Sequence, residues 1–415
     1  MSNFWPSDAA RSSEIGGRAG QPLLVVALVL TGLSMRTAVT SIGAVLADLE
    51  HGVHASSSAA GVITTLPVVC FAALGALTPR LSARFGAHRL LVASLVAMVA
   101  GIALRASVAS LWPFLLLSIL ALSGGAVANV VLPTVVKRHF PDRIGRMTAV
   151  YTTALAIGAT AAAGLTVPIG SLGDGWRFGL GSWALFAAVA VLPWLTTLRG
   201  DRPELTARPS VRASALLRSR TAWALTVFFA FQSFQAYVTF GWYAVFLHDH
   251  GLSKAAAGWL VALLSALSIP VSMIAPTVPA RHHRAVIVGM GCCYALAFAG
   301  FGLAPNGGAA LWMVLAGIGS GMFPIALTMI GLRSRTPETT NVLSAFVQAI
   351  GYIVAGSGPL LFGVLHGATG NWALPLATLW VALAIAVSAG WFACAPRYVD
   401  DEIARRTVPT RVKHP

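Results

Sequence analysis

Charge is what this sequence has least of: Asp, Glu, Lys and Arg make up 10% of 415 residues, and only 13 positions are acidic. Beside a hydrophobic fraction of 57%, that scarcity excludes an ordinary water-soluble domain, because too few polar groups remain to cover the core. Cysteine is scarce as well. Cys70, Cys292, Cys293 and Cys394 lie in apolar runs without metal-ligand spacing, so they read as small core residues, with no disulfide framework and no metal site. No Ser/His/Asp constellation, metal-spaced cluster or phosphate-binding loop stands outside the apolar runs, which argues against an enzyme and calls for no cofactor.

What the sequence has in quantity is apolar runs long enough to cross about 30 Å of hydrocarbon. They fall at 22–47, 57–79, 89–105, 111–136, 145–169, 177–198, 221–247, 255–279, 285–304, 309–332, 340–365 and 373–395, giving an all-α membrane protein of twelve transmembrane helices. The net charge of +15 would suggest nucleic acid in a soluble chain. Here the basic residues are spread over loops, so topology and the headgroups of the lipid bilayer account for them, and no nucleic acid is expected. With the N-terminus inside, 24 of 28 Lys and Arg fall on one side, opposed by Arg105, Arg177 and Lys254. Both termini are therefore expected in the cytoplasm.

Residues 1–21, rich in Ser, Gly and Arg, read as a disordered cytoplasmic tail, and 396–415 as a C-terminal cytoplasmic tail. A cleaved signal peptide is disfavoured because Arg36 interrupts the first apolar run. The longest polar interruption, 199–220, holds Pro203, Pro209 and six basic residues and separates two bundles of six spans, 22–198 and 221–395. The halves align at one slowly drifting offset: Thr40 on Thr239, Glu50 on Asp249, Gly125 on Gly321 and Pro141 on Pro337. Arg36 then falls opposite Gln235.

Arg36 is the only formal charge in the interior of any apolar run, where an arginine costs roughly 2.5–3.5 kcal/mol even on lenient insertion scales. Gly32, Arg36, Thr40 and Gly43 share one helical face. Asn129 in span four, Tyr151 in span five, Gln232, Gln235 and Trp242 in span seven, and Gln348 and Tyr352 in span eleven are further candidates to line a polar cavity. The bland alternative stands beside each: amides can bond between helices, aromatics can pack, and Gly317, Gly319 and Gly321 read as helix contacts. For Arg36 a structural ion pair is missing as an alternative, since no carboxylate lies at its depth, and the bland reading that is left is satisfaction by backbone carbonyls and amide side chains. A fixed guanidinium favours an anion or a neutral solute with an acceptor group. Proton coupling would fall to Glu50 and Asp249 at equivalent outer span ends, which can also be read as solvated loop charges.

The stretch 35–43, MRTAVTSIG, resembles the first-helix motif of the cyanate and 2-nitroimidazole transporter family within the major facilitator superfamily. Asn129 to Pro133 with Lys137, Tyr151 to Thr153, Gly175-Trp176-Arg177, Gly317 to Pro324, and Gln348 with Gly351-Tyr352 are similar to that family too, so the likeness covers about 22–395. It implies the major facilitator fold and a secondary active carrier of a small anionic or polar solute in a bacterial-type inner membrane. Two rivals stay open: a multidrug efflux carrier, disfavoured by the unpaired arginine, and a receptor or scaffold that no longer transports, disfavoured by the short loops.

Overall fold

In lipid each backbone N–H and C=O has to find its partner within its own segment, so apolar runs of this length can only be helices. The computed structural model describes residues 21–53, 57–198 and 213–407 and follows that rule, with no strand among them. The expected tail over 1–20, most of the linker (199–212) and 408–415 lie outside the described residues.

Spans one to six comprise Gln21–Ser34 with Thr37–Ala44, then Ser57–Phe85, Ala87–Arg105, Leu111–His139, Ile144–Gly170 and Gly175–Leu195. Spans seven to twelve comprise Arg220–Asp249, Lys254–Ile274, His283–Leu303, Ala309–Gly319 with Met322–Leu332, Pro337–Thr369 and Ala373–Ala393. Eleven of these are apolar enough to cross a membrane by composition alone. The exception, span seven, is 30 residues long and carries Gln232 and Gln235, whose amides lower its hydropathy.

Two six-helix bundles result. In the first, span one packs on five and six, and span four on two and three; in the second, span seven packs on eleven and twelve, and span ten on eight and nine. The bundles meet through spans two and eleven, five and eight, and four and eleven. Their seam is tight at the end where the described chain begins, at Gln21, and ends, at Thr407. There Gly145 lies against the Pro276 carbonyl and Gly331 against Ile144, Asn341 donates to Ser82 Oγ at 2.5 Å, and Arg138 pairs with Glu338 at 3.5 Å. Toward the opposite end Gly43 is exposed with open space around it.

The structure departs from the sequence reading in several places. Spans one and ten are each two helices, interrupted at Met35–Arg36 and at Ser320–Gly321. Cys292 is exposed on its span instead of filling the core, while Cys70 and Cys394 are buried. Residues Val399–Thr407 form a docked helix where a plain tail was expected. Its Asp401 holds Arg335 through two bonds of 2.8 Å, and Glu402 accepts from Ser219, from the Thr221 hydroxyl and from the Thr221 N–H at the start of span seven. Arg105, read as a loop charge, is fully buried and donates to the Ala38 carbonyl at 3.0 Å.

Candidate functional site

The break in span one is packed in place by glycines. A Cβ on Gly125 would lie 2.5 Å from the Met35 carbonyl oxygen, and one on Gly158 would collide with the Leu33 carbonyl, so only glycine permits these approaches. Arg36 itself occupies the N-cap of the second helical piece with no side-chain cap bond. The helix is thereby interrupted at the residue whose charge needs explaining.

Around Arg36 the two halves converge. Its guanidinium sits 5.6 Å from the ring centre of Phe323 in span ten, with Tyr237 and Tyr352 of spans seven and eleven nearby. Tyr352 in turn packs on Phe71 at 5.4 Å, on Phe229 at 5.3 Å and on Tyr237 at 6.5 Å between ring centres, and lies near Tyr151. The result is an aromatic enclosure with a cation in its wall. Among the described residues no carboxylate forms an ion pair with Arg36.

Buried polar atoms normally have partners, because each unpaired one costs about 1–3 kcal/mol. Several here have none: Arg36 Nε, Asn129 Oδ1, Gln348 Oε1 and Tyr352 Oη. The Tyr151 hydroxyl lies beside Thr148 yet closes no bond of good geometry. Gln348 is half satisfied. Its amide nitrogen donates to the Asn129 main-chain carbonyl and to Ser344 Oγ, each at 2.8 Å. Toward the end away from Gln21 and Thr407, Thr40 and then Gly43 continue the Arg36 face with rising exposure, and Thr40 gives its hydroxyl to the Arg36 carbonyl at 3.0 Å.

Other candidates sit elsewhere. Gln235 is fully buried with both amide atoms unpaired, but it lies two turns beyond Phe228 on the face that packs on Gly390 of span twelve. Gln232 spends its amide nitrogen on Phe229 O and Ser233 Oγ within its own helix. Trp242 donates to the Pro359 carbonyl at 3.0 Å and packs among Phe362 and Trp372. Asp249 faces His366 at 3.9 Å at the far rim, and the Glu50 side chain lies outside the described residues. Phe71, Phe229, Tyr237 and Phe323 were not legible as site residues, because an aromatic in an apolar run looks like packing. The 237–352 pairing is a contact between helices that no single-helix periodicity reveals.

Two six-helix bundles closed at one end and converging on buried, unsatisfied polar groups near mid-span define a membrane solute carrier. The Major Facilitator Superfamily model matches residues 24–359. A 2-nitroimidazole transporter of Escherichia coli (strain K12) is 32% identical over 400 residues, covering 94% of this chain and 99% of that protein. The cyanate transport protein of the same organism is 29% identical over 355 residues, covering 84% and 91%. The solved structure of a proton:xylose symporter superposes with a TM-score of 0.72 at 15% identity, over 92% of this chain and 98% of that one, which is a likeness of fold. The chain belongs to the Major Facilitator Superfamily and, within it, to the family of the cyanate and 2-nitroimidazole transporters. It is a multi-pass transporter and not an enzyme.

Proposed function

We propose that this protein is a secondary active carrier, working by alternating access, for a small anionic or acceptor-bearing solute of the cyanate or nitroimidazole kind. The observation that carries the reading is Arg36: a half-buried cation at mid-span, with no acid paired to it among the described residues and an unpartnered Nε. A guanidinium kept at that depth needs an acceptor to offset its desolvation, and a bound solute supplies one. Asn129, Tyr151, Gln348 and Tyr352 would orient it. The names of the two relatives support the solute class.

With the basic loops in the cytoplasm, the closed end carrying Arg138 and Glu338 faces inward and the Gly43 end outward, so the conformation described is the outward-open one. Asp249, opposite His366, and Glu50 would take part in proton coupling. The test is binding of 2-nitroimidazole and of cyanate to purified protein. Arg36→Ala is expected to abolish it and Arg36→Lys, which keeps the charge and loses the fork of donors, to weaken it. Unchanged affinity in both variants would overturn the assignment.

A further inference from the structure

At its break, each interrupted span sends one side chain into the space between the bundles. In span one Ser34, Met35, Thr37 and Ala38 are buried and Arg36 among them is half exposed. In span ten Gly321, Met322 and residues 324–331 are buried, and Phe323 among them is half exposed. These two residues meet across the seam: the Arg36 guanidinium lies over the Phe323 ring, 5.6 Å from its centre.

The ring is a fixed part of the second bundle. A Cβ on Gly321 would collide with Val271 and Met290, so the span-ten break is packed in place. Phe323 leans on Phe229 at 6.0 Å between ring centres, and Phe229 is held in turn by Gly351, which leaves no room for a Cβ, and edge-on by Tyr352 at 5.3 Å. The guanidinium is less constrained by its own bundle. It stands at the end of a flexible stem, makes no side-chain cap bond and pairs with no acid among the described residues.

A guanidinium is planar, and all its donors lie in that plane. An aromatic ring attracts its flat face through the negative quadrupole and leaves the edge, here with an unpartnered Nε, open to a solute. Resting on the reading of Arg36 as the solute's contact, we propose that Phe323 is the positioning residue of this site, holding the Arg36 fork edge-on to the solute from the opposite bundle. Without the ring's attraction Arg36 samples several rotamers, and binding has to select one. Immobilising one long side chain corresponds to about two- to twelvefold in affinity.

The test uses the full-length protein in lipid nanodiscs, with 2-nitroimidazole as the probe and calorimetry as the readout. Phe323 is replaced in turn by mono-, di- and trifluorophenylalanine, which drain the negative face of the ring at nearly constant shape. Affinity is expected to fall step by step, by about two- to twelvefold with the trifluoro ring. In the solute-free protein, labelling of Arg36 by phenylglyoxal, read by mass spectrometry against the exposed Arg281, should quicken in the same order. A flat affinity series overturns the positioning role. So does a falling series with unchanged labelling, since the ring then touches the solute itself. Should 2-nitroimidazole not bind, or bind Arg36→Ala as it binds wild type, the reading of Arg36 falls and this role with it; should Arg36 be essential and the series flat, only the role of Phe323 falls.

Discussion

The Gln348 side chain reaches across the seam between the bundles and donates to the main-chain carbonyl of Asn129, 2.8 Å away. That carbonyl is free to accept because the residue four positions on is Pro133, which has no N–H to close the helical bond. A proline in span four thus creates the acceptor that a glutamine in span eleven uses. Gln348→Ala leaves the buried carbonyl unpaired and is expected to cost about 1–3 kcal/mol. Adding Pro133→Ala restores a local donor, so the double variant should melt above Gln348→Ala alone. Additive losses in thermal denaturation of the purified protein would refute the pairing.

Close backbone approach makes a second prediction. Gly158 faces the Leu33 carbonyl with no room for a Cβ, whereas Gly43, on the site face of span one, has open space. Gly158→Val should force the helices apart at a cost of about 1–3 kcal/mol or more. Gly43→Val should leave the melting temperature unchanged and narrow the approach to Arg36, which solute uptake measures.

The spans were legible because hydropathy is what fixes a helix in lipid: Leu111–His139 and Ala373–Ala393 begin where their apolar runs begin. Arg36 was legible because a charge in an apolar run is rare. The aromatics were not, since Phe323 beneath Arg36 and Phe71 against Tyr352 differ from packing residues only by what lies across the seam. The repeat set Gln235 opposite Arg36, yet the span-seven side chain near the arginine is Tyr237, on another face of the helix. Symmetry of sequence positions places backbones, and rotation of a helix decides which side chain arrives.

The docked C-terminal helix answers to pH through Glu402. Burial pushes its carboxyl up, but bonds from Ser219 and from the side chain and N–H of Thr221 outweigh this and hold it below the ordinary value of 4.5. A depressed folded value means the contribution to docking is complete above about pH 4.5 and is lost as pH falls through the folded value. Hydrogen exchange of the Thr221 and Ala222 amides should therefore be slow at neutral pH and accelerate in acid. In Glu402→Gln it should be fast and independent of pH once intrinsic exchange is corrected for.

Arg105 combines complete burial with a single bond. Its Nη1 donates to the Ala38 carbonyl at 3.0 Å, while Nε and Nη2 have no partner. A cation in that state is a net burden to stability, because one neutral hydrogen bond does not offset the desolvation of a guanidinium. It holds, however, the first turn of the helical piece that restarts after Arg36, two residues from the site. Arg105→Met, which fills similar volume without charge, is therefore expected to keep or raise the melting temperature while lowering transport, with solute affinity reduced less than turnover. Arg105→Lys can retain the bond to Ala38 and should recover part of the turnover. A lowered melting temperature with full transport would make Arg105 a structural staple with no part in setting the broken first span.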